Sequence, residues 1–236
     1  MSVGLVSVVL PVYNQADHIE SVLAGHLAAL KDFHVGYELL AVVNGVRRDA
    51  SFEICQAMQA RHPEVRALCI DEPGWGRAVR HGIAQARGDL ICYTNSARTT
   101  ADDLLLSLVY GTVHPDAVIK ANRKIRASAR RRLGSLLYNL EARALFDLPY
   151  WDVNGTPKVF SRRHAKLLQL ASDGDLIDLE FCIACRREGY RVVELPIFSS
   201  KRHSGQSTTS FKSAWRMYWG AWRMHARTKR GADAAP

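Results

Sequence analysis

The sequence predicts an α/β protein: a mostly parallel sheet with helices on both faces, followed by one C-terminal amphipathic helix. Three observations predict it. Strand-like apolar runs alternate with stretches of helical spacing, at a pitch suited to right-handed strand–helix–strand units. The opening run, Leu5 to Leu10, is β-branched and continuously apolar, as for a strand buried on both faces. The runs end in turn-forming residues, Pro11-Val12-Tyr13-Asn14 after the first and Asn44-Gly45 after the second.

Taken in order, Asn14 or Asp17 can cap a helix in which Ile19, Leu23, Leu27 and Leu30 recur at helical spacing. Glu38 to Val43 is a second strand. A helix follows from about Asp49, with Phe52, Cys55 and Met58 inward. Arg66 to Ile70 is a third strand, Gly76 to Ala86 a helix and Leu90 to Tyr93 a fourth strand. Asp102 and Asp103 suit the start of a helix that runs to about Tyr110, and Ala117 to Lys120 suits a strand. The basic stretches Arg123–Arg126 and Arg130–Arg132 lead into a helix with Leu133, Leu136, Leu137, Leu140 and Ala144 on one face. Val153 to Arg162 is a turn entering a strand, and Asp178 to Gly189 is a helix. Tyr190 to Phe198 is an edge strand, consistent with Pro196. Residues 1–210 form one domain, with a polar loop at Lys201–Thr209. The helix at 211–230 follows, then a disordered tail at 231–236.

Bulk properties narrow the class. The 236 residues are 47% hydrophobic and 23% charged, as for a globular chain. A net charge of +9 favours anionic partners such as phosphates or an acidic membrane surface. The charge concentrates in two helical stretches without a nucleic-acid reading motif, so nucleic acid is not expected. The five scattered cysteines suit buried thiols in a reducing compartment, and Cys182-x-x-Cys185 suits helix packing. The apolar start, Val3 to Val12, lacks the basic opening and cleavage site of a signal peptide. No stretch approaches the roughly 20 apolar residues of a membrane span. In the last helix Trp215, Tyr218, Trp219 and Trp222 form a stripe beside Lys212, Arg216, Arg223, Arg227 and Arg230. That is the pattern of a helix lying in a membrane interface. Packing of the aromatic stripe on the domain, or on a partner subunit, is equally open.

The segment Gly74-Trp75-Gly76-Arg77-Ala78-Val79-Arg80-His81-Gly82-Ile83-Ala84-Gln85-Ala86-Arg87-Gly88-Asp89 resembles a motif of the family 2 nucleotide-sugar glycosyltransferases. The resemblance implies their Rossmann-like GT-A fold. In the family this motif leads to a strand ending in Asp-x-Asp, which holds a divalent metal on the sugar diphosphate. Here the triplet is Asn95-Ser96-Ala97. Magnesium or manganese, expected for the family, is therefore doubtful here, because a hard cation wants carboxylate oxygens. The resemblance further implies a nucleotide-sugar site at Pro11, Tyr13, Asn14, Asn44, Gly76, Arg77, Arg80, Asn95 and Ala97. Arg77 and Arg80, one turn apart, can fork onto a diphosphate, although surface salt bridges are an open alternative.

Asn154 to Arg162, Asp178-Leu179-Glu180, Gly189 to Ile197 and Arg202-x-x-Gly205-x-Ser207 resemble the polyprenyl-phosphate branch, of the dolichol-phosphate mannose synthase type. This implies Lys158 and Arg202 near acceptor phosphates. Asp178 is the candidate catalytic carboxylate, with Glu180 second; capping of a helix is the alternative for Asp178. The expected activity is inverting transfer of a sugar from a UDP- or GDP-linked donor to a polyprenyl phosphate or lipid-linked acceptor. The expected location is the cytoplasmic face of the membrane, held peripherally by residues 211–230. The alternative is a relative that binds nucleotide or a partner without turnover, because the metal carboxylates are replaced.

Overall fold

The computed structural model describes residues 3–46, 48–124, 129–198 and 211–232, with the side chains of 129–132, 211–215 and 227–232 left aside. Seven strands form one sheet in the order β3-β2-β1-β4-β6-β5-β7. They are β1 (Leu5–Val12), β2 (Gly36–Asn44), β3 (Val65–Ile70), β4 (Leu90–Tyr93), β5 (Val118–Arg123), β6 (Lys158–Ser161) and β7 (Val192–Ile197). The helices are α1 (Ile19–Leu30), α2 (Ser51–Arg61), α3 (Trp75–Gln85), α4 (Ala101–Val113), α5 (Ala129–Phe146), α6 (Ile177–Arg187) and α7 (Phe211–Ala232). A 3-10 turn covers Ala165–Leu168.

Side chains alternate across a strand, and both faces of this sheet are covered. Val8, Leu10, Leu39 and Ala41 pack with α1, α2 and α4. Val9, Leu40, Val42, Ile91 and Tyr93 pack with α3, α5 and α6. This is why the early strands are apolar at most positions, on both faces. Pairing is parallel except at β6, which runs antiparallel to both β4 and β5. β7 closes the edge, with Pro196 exposed there. Thr100 caps α4 by accepting from Asp103 N. For α1 the expected caps are not used: the helix begins after His18, which makes no side-chain cap bond. Asn14 instead sits at φ 49, in the left-handed region that asparagine tolerates.

For the later helices one expectation is corrected, the leucine face of α5, and one agrees with the structure, the packing role of Cys182 and Cys185. The leucine face of α5 is turned outward, and Tyr138 and Ala142 take the buried side. All five cysteines are free, and Cys182 and Cys185 are buried in the packing of α6. The loop Lys201–Thr209, Arg202, Arg126 and the tail beyond residue 232 lie outside the described residues.

A polar knot holds the end of the sheet remote from the crevice. Glu38 accepts from Ser7 Oγ at 2.6 Å, Arg87 N at 2.8 Å and Arg66 Nη1 at 2.8 Å. Burial alone would raise its pKa, but these hydrogen bonds outweigh burial and lower it. The sign follows: the stabilisation is full above the unfolded pKa of about 4.3 and is lost as pH falls through the lower folded value. Glu38→Gln is expected to cost about 1–3 kcal/mol at neutral pH, from the charged hydrogen bonds it removes. Urea midpoints from neutral to acid pH check this: the variant should show a flatter acid limb than the parent chain.

Candidate active site

Strand order reverses between β1 and β4: the chain adds β2 and β3 on one side and the remaining strands on the other. In open α/β sheets, ligands sit beyond the carboxyl ends of strands at such a switch point. Pro11, Tyr13 and Asn14 leave β1 there, Asn44 ends β2, Gly76 opens α3, and Asn95 and Ala97 follow β4. Seven of the nine expected nucleotide-site residues thus gather at one end of the sheet. Tyr13 is partly exposed and stands against the Gly45 turn and Pro73: a Cβ added at Gly45 would lie 3.1 Å from Tyr13 Cε2 and 3.0 Å from Pro73 Cβ.

Several of these groups already have internal partners. Asn44 is buried; its Nδ2 donates to Val12 O at 2.8 Å and its Oδ1 accepts from Gly74 N at 3.1 Å. It ties the ends of β1 and β2 to the turn before α3. Ser96 Oγ lies 2.8 Å from both Pro11 O and Gln15 Oε1. Asn95 Oδ1 accepts from Ala97 N at 3.0 Å, and Asn95 O accepts from Thr99 N at 2.9 Å, which builds an Asx turn. Ala97 is buried. These residues do not fit a divalent cation: one amide oxygen is already engaged and the other position carries none. Among the described residues no three His, Cys, Asp or Glu side chains converge as a metal site.

Arg77 and Arg80 face the segment 171–174, which crosses the first turn of α3. Arg77 Nη2 is 3.2 Å from Asp173 Oδ2, and Arg80 Nη1 is 2.5 Å from Asp173 Oδ1. Arg80 also donates to Ala171 O, and Arg77 N donates to Asp173 O. The crossing is so close that a Cβ at Gly76 would run into Ser172 O. From the other side, the two carboxylate oxygens of Glu180 accept from Ala171 N and Ser172 N, each at 2.8 Å. Glu180 therefore pins this segment, and the arginines clamp it. Partly exposed pairs of this kind contribute about 0.2–1 kcal/mol each, so an incoming anion can compete for them.

Asp178 lies in the first turn of α6 and is buried. It accepts from Tyr93 OH at 2.9 Å and is ion-paired with Lys158 Nζ. Lys158 is wholly buried, with its ammonium 5.3 Å from the Tyr93 ring centroid and 5.4 Å from that of Phe181. Register explains the meeting: β6 runs backwards, so its first residue, Lys158, lies opposite the last residue of β4, Tyr93. Burial first, and the Asp178 charge next, raise the Tyr93 hydroxyl well above its ordinary pKa, so it stays a donor. Arg202 lies outside the described residues and cannot be related to this cluster.

Reading the sequence missed the neighbours of this pair. Lys120 lies opposite Lys158 in register and pairs with Glu194 at 2.7 Å. Asp152 accepts from Arg123 Nε and Nη2, both at 2.7 Å. The available signal was a charge in the middle of a strand, Lys120 in β5 and Glu194 in β7. Trp75 Nε1 and Tyr138 OH are buried without a hydrogen-bond partner among the described residues. Buried polar groups are nearly always satisfied, so such groups mark places that water or ligand completes. The Trp75 ring lies 6.5 Å from that of Tyr93, and the Tyr138 hydroxyl is raised by burial and then by the Asp178 charge.

Residues 7–168 match the family model described as glycosyl transferase family 2. An undecaprenyl-phosphate 4-deoxy-4-formamido-L-arabinose transferase of Sodalis glossinidius is 23% identical over 219 residues, 89% of this chain and 64% of the relative. The chain thus spans less than two thirds of that relative. An uncharacterized glycosyltransferase of Mycobacterium tuberculosis is 26% identical over 215 residues, covering 89% of this chain and 92% of the relative. Among solved structures, glucosyl-3-phosphoglycerate synthase of Mycobacterium tuberculosis, in complex with Mn2+, UDP-glucose and phosphoglyceric acid, superposes with a TM-score of 0.69 at 18% identity. It covers 93% of this chain and 77% of that one. Mannosyl-3-phosphoglycerate synthase of Rubrobacter xylanophilus gives 0.70 at 19% identity, covering 99% and 76%. These two likenesses are likenesses of fold.

Proposed function

The chain belongs to glycosyl transferase family 2 and has the GT-A fold, and on that premise we propose an inverting transfer from a UDP- or GDP-linked sugar to a polyprenyl phosphate or lipid-linked acceptor. The observation that carries the proposal is the convergence of the β1, β2, β3 and β4 ends with Lys158 and Asp178 at one rim of the sheet. Tyr13 beside Gly45 and Pro73 offers a flat wall for the base. The relative named for undecaprenyl phosphate supports a lipid-phosphate acceptor. The exposed Trp219 and Trp222 of α7 support peripheral contact with the inner face of a membrane. No helix among the described residues is long and apolar enough to cross one.

In the proposed reaction an acceptor phosphate oxygen bonds to the anomeric carbon. The bond from that carbon to the donor diphosphate breaks, and the nucleoside diphosphate leaves with the electron pair. A phosphate monoester has a second pKa of about 6 and needs no base to take a proton. This suits an Asp178 that is already engaged: it orients Lys158 and Tyr93. Arg77 and Arg80, exchanged from Asp173, offset charge on the leaving diphosphate.

A rival reading, nucleotide binding without turnover, is favoured by Asn95 and Ala97. Calorimetry with UDP and GDP, with and without manganese, followed by a donor-consumption assay with a polyprenyl phosphate, separates the two. Manganese is expected to change Kd by less than about threefold, under 1 kcal/mol. Tightening by about tenfold or more would restore a metal site. Binding without donor consumption selects the silent relative, and no binding of either nucleotide removes both readings.

A further inference from the structure

Helices α5 and α7 lie side by side and run in the same direction. Tyr218 OH donates to Gly134 O at 2.7 Å, the Tyr138 and Tyr218 rings meet edge-on at 5.6 Å, and Phe146 meets His225 at 5.4 Å. That seam uses one side of each helix. On α5 the i, i+3, i+4, i+7 set Leu133, Leu136, Leu137 and Leu140 lies off the seam and is 45–58% exposed. On α7, Trp219 and Trp222 are 54% and 55% exposed.

The two sets join. The Trp222 side chain lies beside the Glu141 carboxyl, where it works against the upward push of burial on that group, and Glu141 stands one turn beyond Leu137 on α5. The tryptophan edge of α7 therefore continues into the leucine stripe of α5. The far border is basic: Arg216 and Arg223 are exposed, and the Arg223 guanidinium lies 5.7 Å from the Trp219 ring centroid. Four leucines and two tryptophans in one exposed patch is a feature that marks an interaction surface.

We infer that α5 and α7 together form one membrane-docking face, whose occupant is the interface of a bilayer containing anionic lipid. Charge selects this occupant. Two copies of the chain meeting face to face would bring the same arginine borders together on molecules of net charge +9. Anionic headgroups instead complement that border, indole rings suit the headgroup level, and leucines reach the acyl boundary. The face is also tied to the candidate active site. Gly220 packs so closely on Leu176 that an added Cβ would lie 2.5 Å from Leu176 Cδ1, and Leu176 immediately precedes the helix carrying Asp178. The inference rests on the lipid-acceptor reading and adds α5 to it as half of the contact.

The test is co-sedimentation with vesicles of phosphatidylcholine alone and of phosphatidylcholine mixed with phosphatidylglycerol. The chains compared are the full parent chain, Leu136→Gln/Leu137→Gln/Leu140→Gln, and Trp219→Ala/Trp222→Ala. These positions are exposed, and circular dichroism with unchanged nucleotide calorimetry verifies the fold. The parent is expected to prefer the acidic vesicles and to release with salt. The leucine variant is expected to partition at least about tenfold less. A leucine variant that binds like the parent, while the tryptophan variant does not, overturns the role of α5 and leaves α7 as the contact. A parent chain that binds neither vesicle overturns the docking face altogether. A dimer in light scattering that the leucine variant dissociates assigns the face to a second copy and also overturns it. None of these outcomes touches donor binding, which the calorimetry reports separately.

Discussion

Lys158→Met is expected to lower folding stability by about 3–5 kcal/mol, because it strands a buried carboxylate. Among the described residues Asp178 would keep only its hydrogen bond from Tyr93, in a site lined by the rings of Tyr93 and Phe181. Urea unfolding at neutral pH measures the loss. The cause is the unpaired charge rather than the missing contact, so Lys158→Met/Asp178→Leu should recover most of the stability. A single variant losing less than about 1 kcal/mol would mean that the pair is solvated, as at a surface. Recovery of stability in the double variant without recovery of transfer would separate the structural role of the pair from its part in the reaction.

Asp178→Asn is expected to reduce kcat/KM by about 100-fold or more while leaving the donor Kd close to that of the parent. The amide keeps the shape and can still accept from Tyr93, but Lys158 then lacks its counter-charge. The pH profile distinguishes orientation from proton abstraction. If Asp178 orients Lys158 and Tyr93, the loss is the same factor from about pH 6 to about pH 9, because no proton is taken from a phosphate acceptor. If Asp178 is a general base, the parent shows an acid limb that the variant lacks. Steady-state rates with a phosphate acceptor and with a hydroxyl acceptor decide it.

The first half of the fold is legible because its code is local. Val, Ile and Leu at successive positions in β1 and β2 leave few alternatives to strands covered on both faces, and the helices between them follow from spacing. The direction of β6 is not legible, since Lys158-Val159-Phe160-Ser161 would read the same in a parallel strand. The leucines of α5 show a second limit. Periodicity says that a helix has an apolar face, but not what that face meets. At the site, the residue types at the strand ends were readable from the motif, whereas their partners were not. Asn44 is engaged by Val12 and Gly74, Arg80 by Asp173 and Asp178 by Lys158. Each of those ties joins positions far apart in the chain, and no window of sequence contains both ends.

The reversed strand has a wider consequence. Because β6 alone points the other way, the connection that enters it hangs at the same end of the sheet as the connections that leave β1, β2 and β4. Residues 147–157 are anchored from beneath: Leu148, Asp152 and Val153 are buried, Asp152 is bonded to Arg123, and Gly155 lies so close to Ala121 O that no side chain fits there. An insertion in that connection would thus disturb the buried floor of the sheet before it altered the rim.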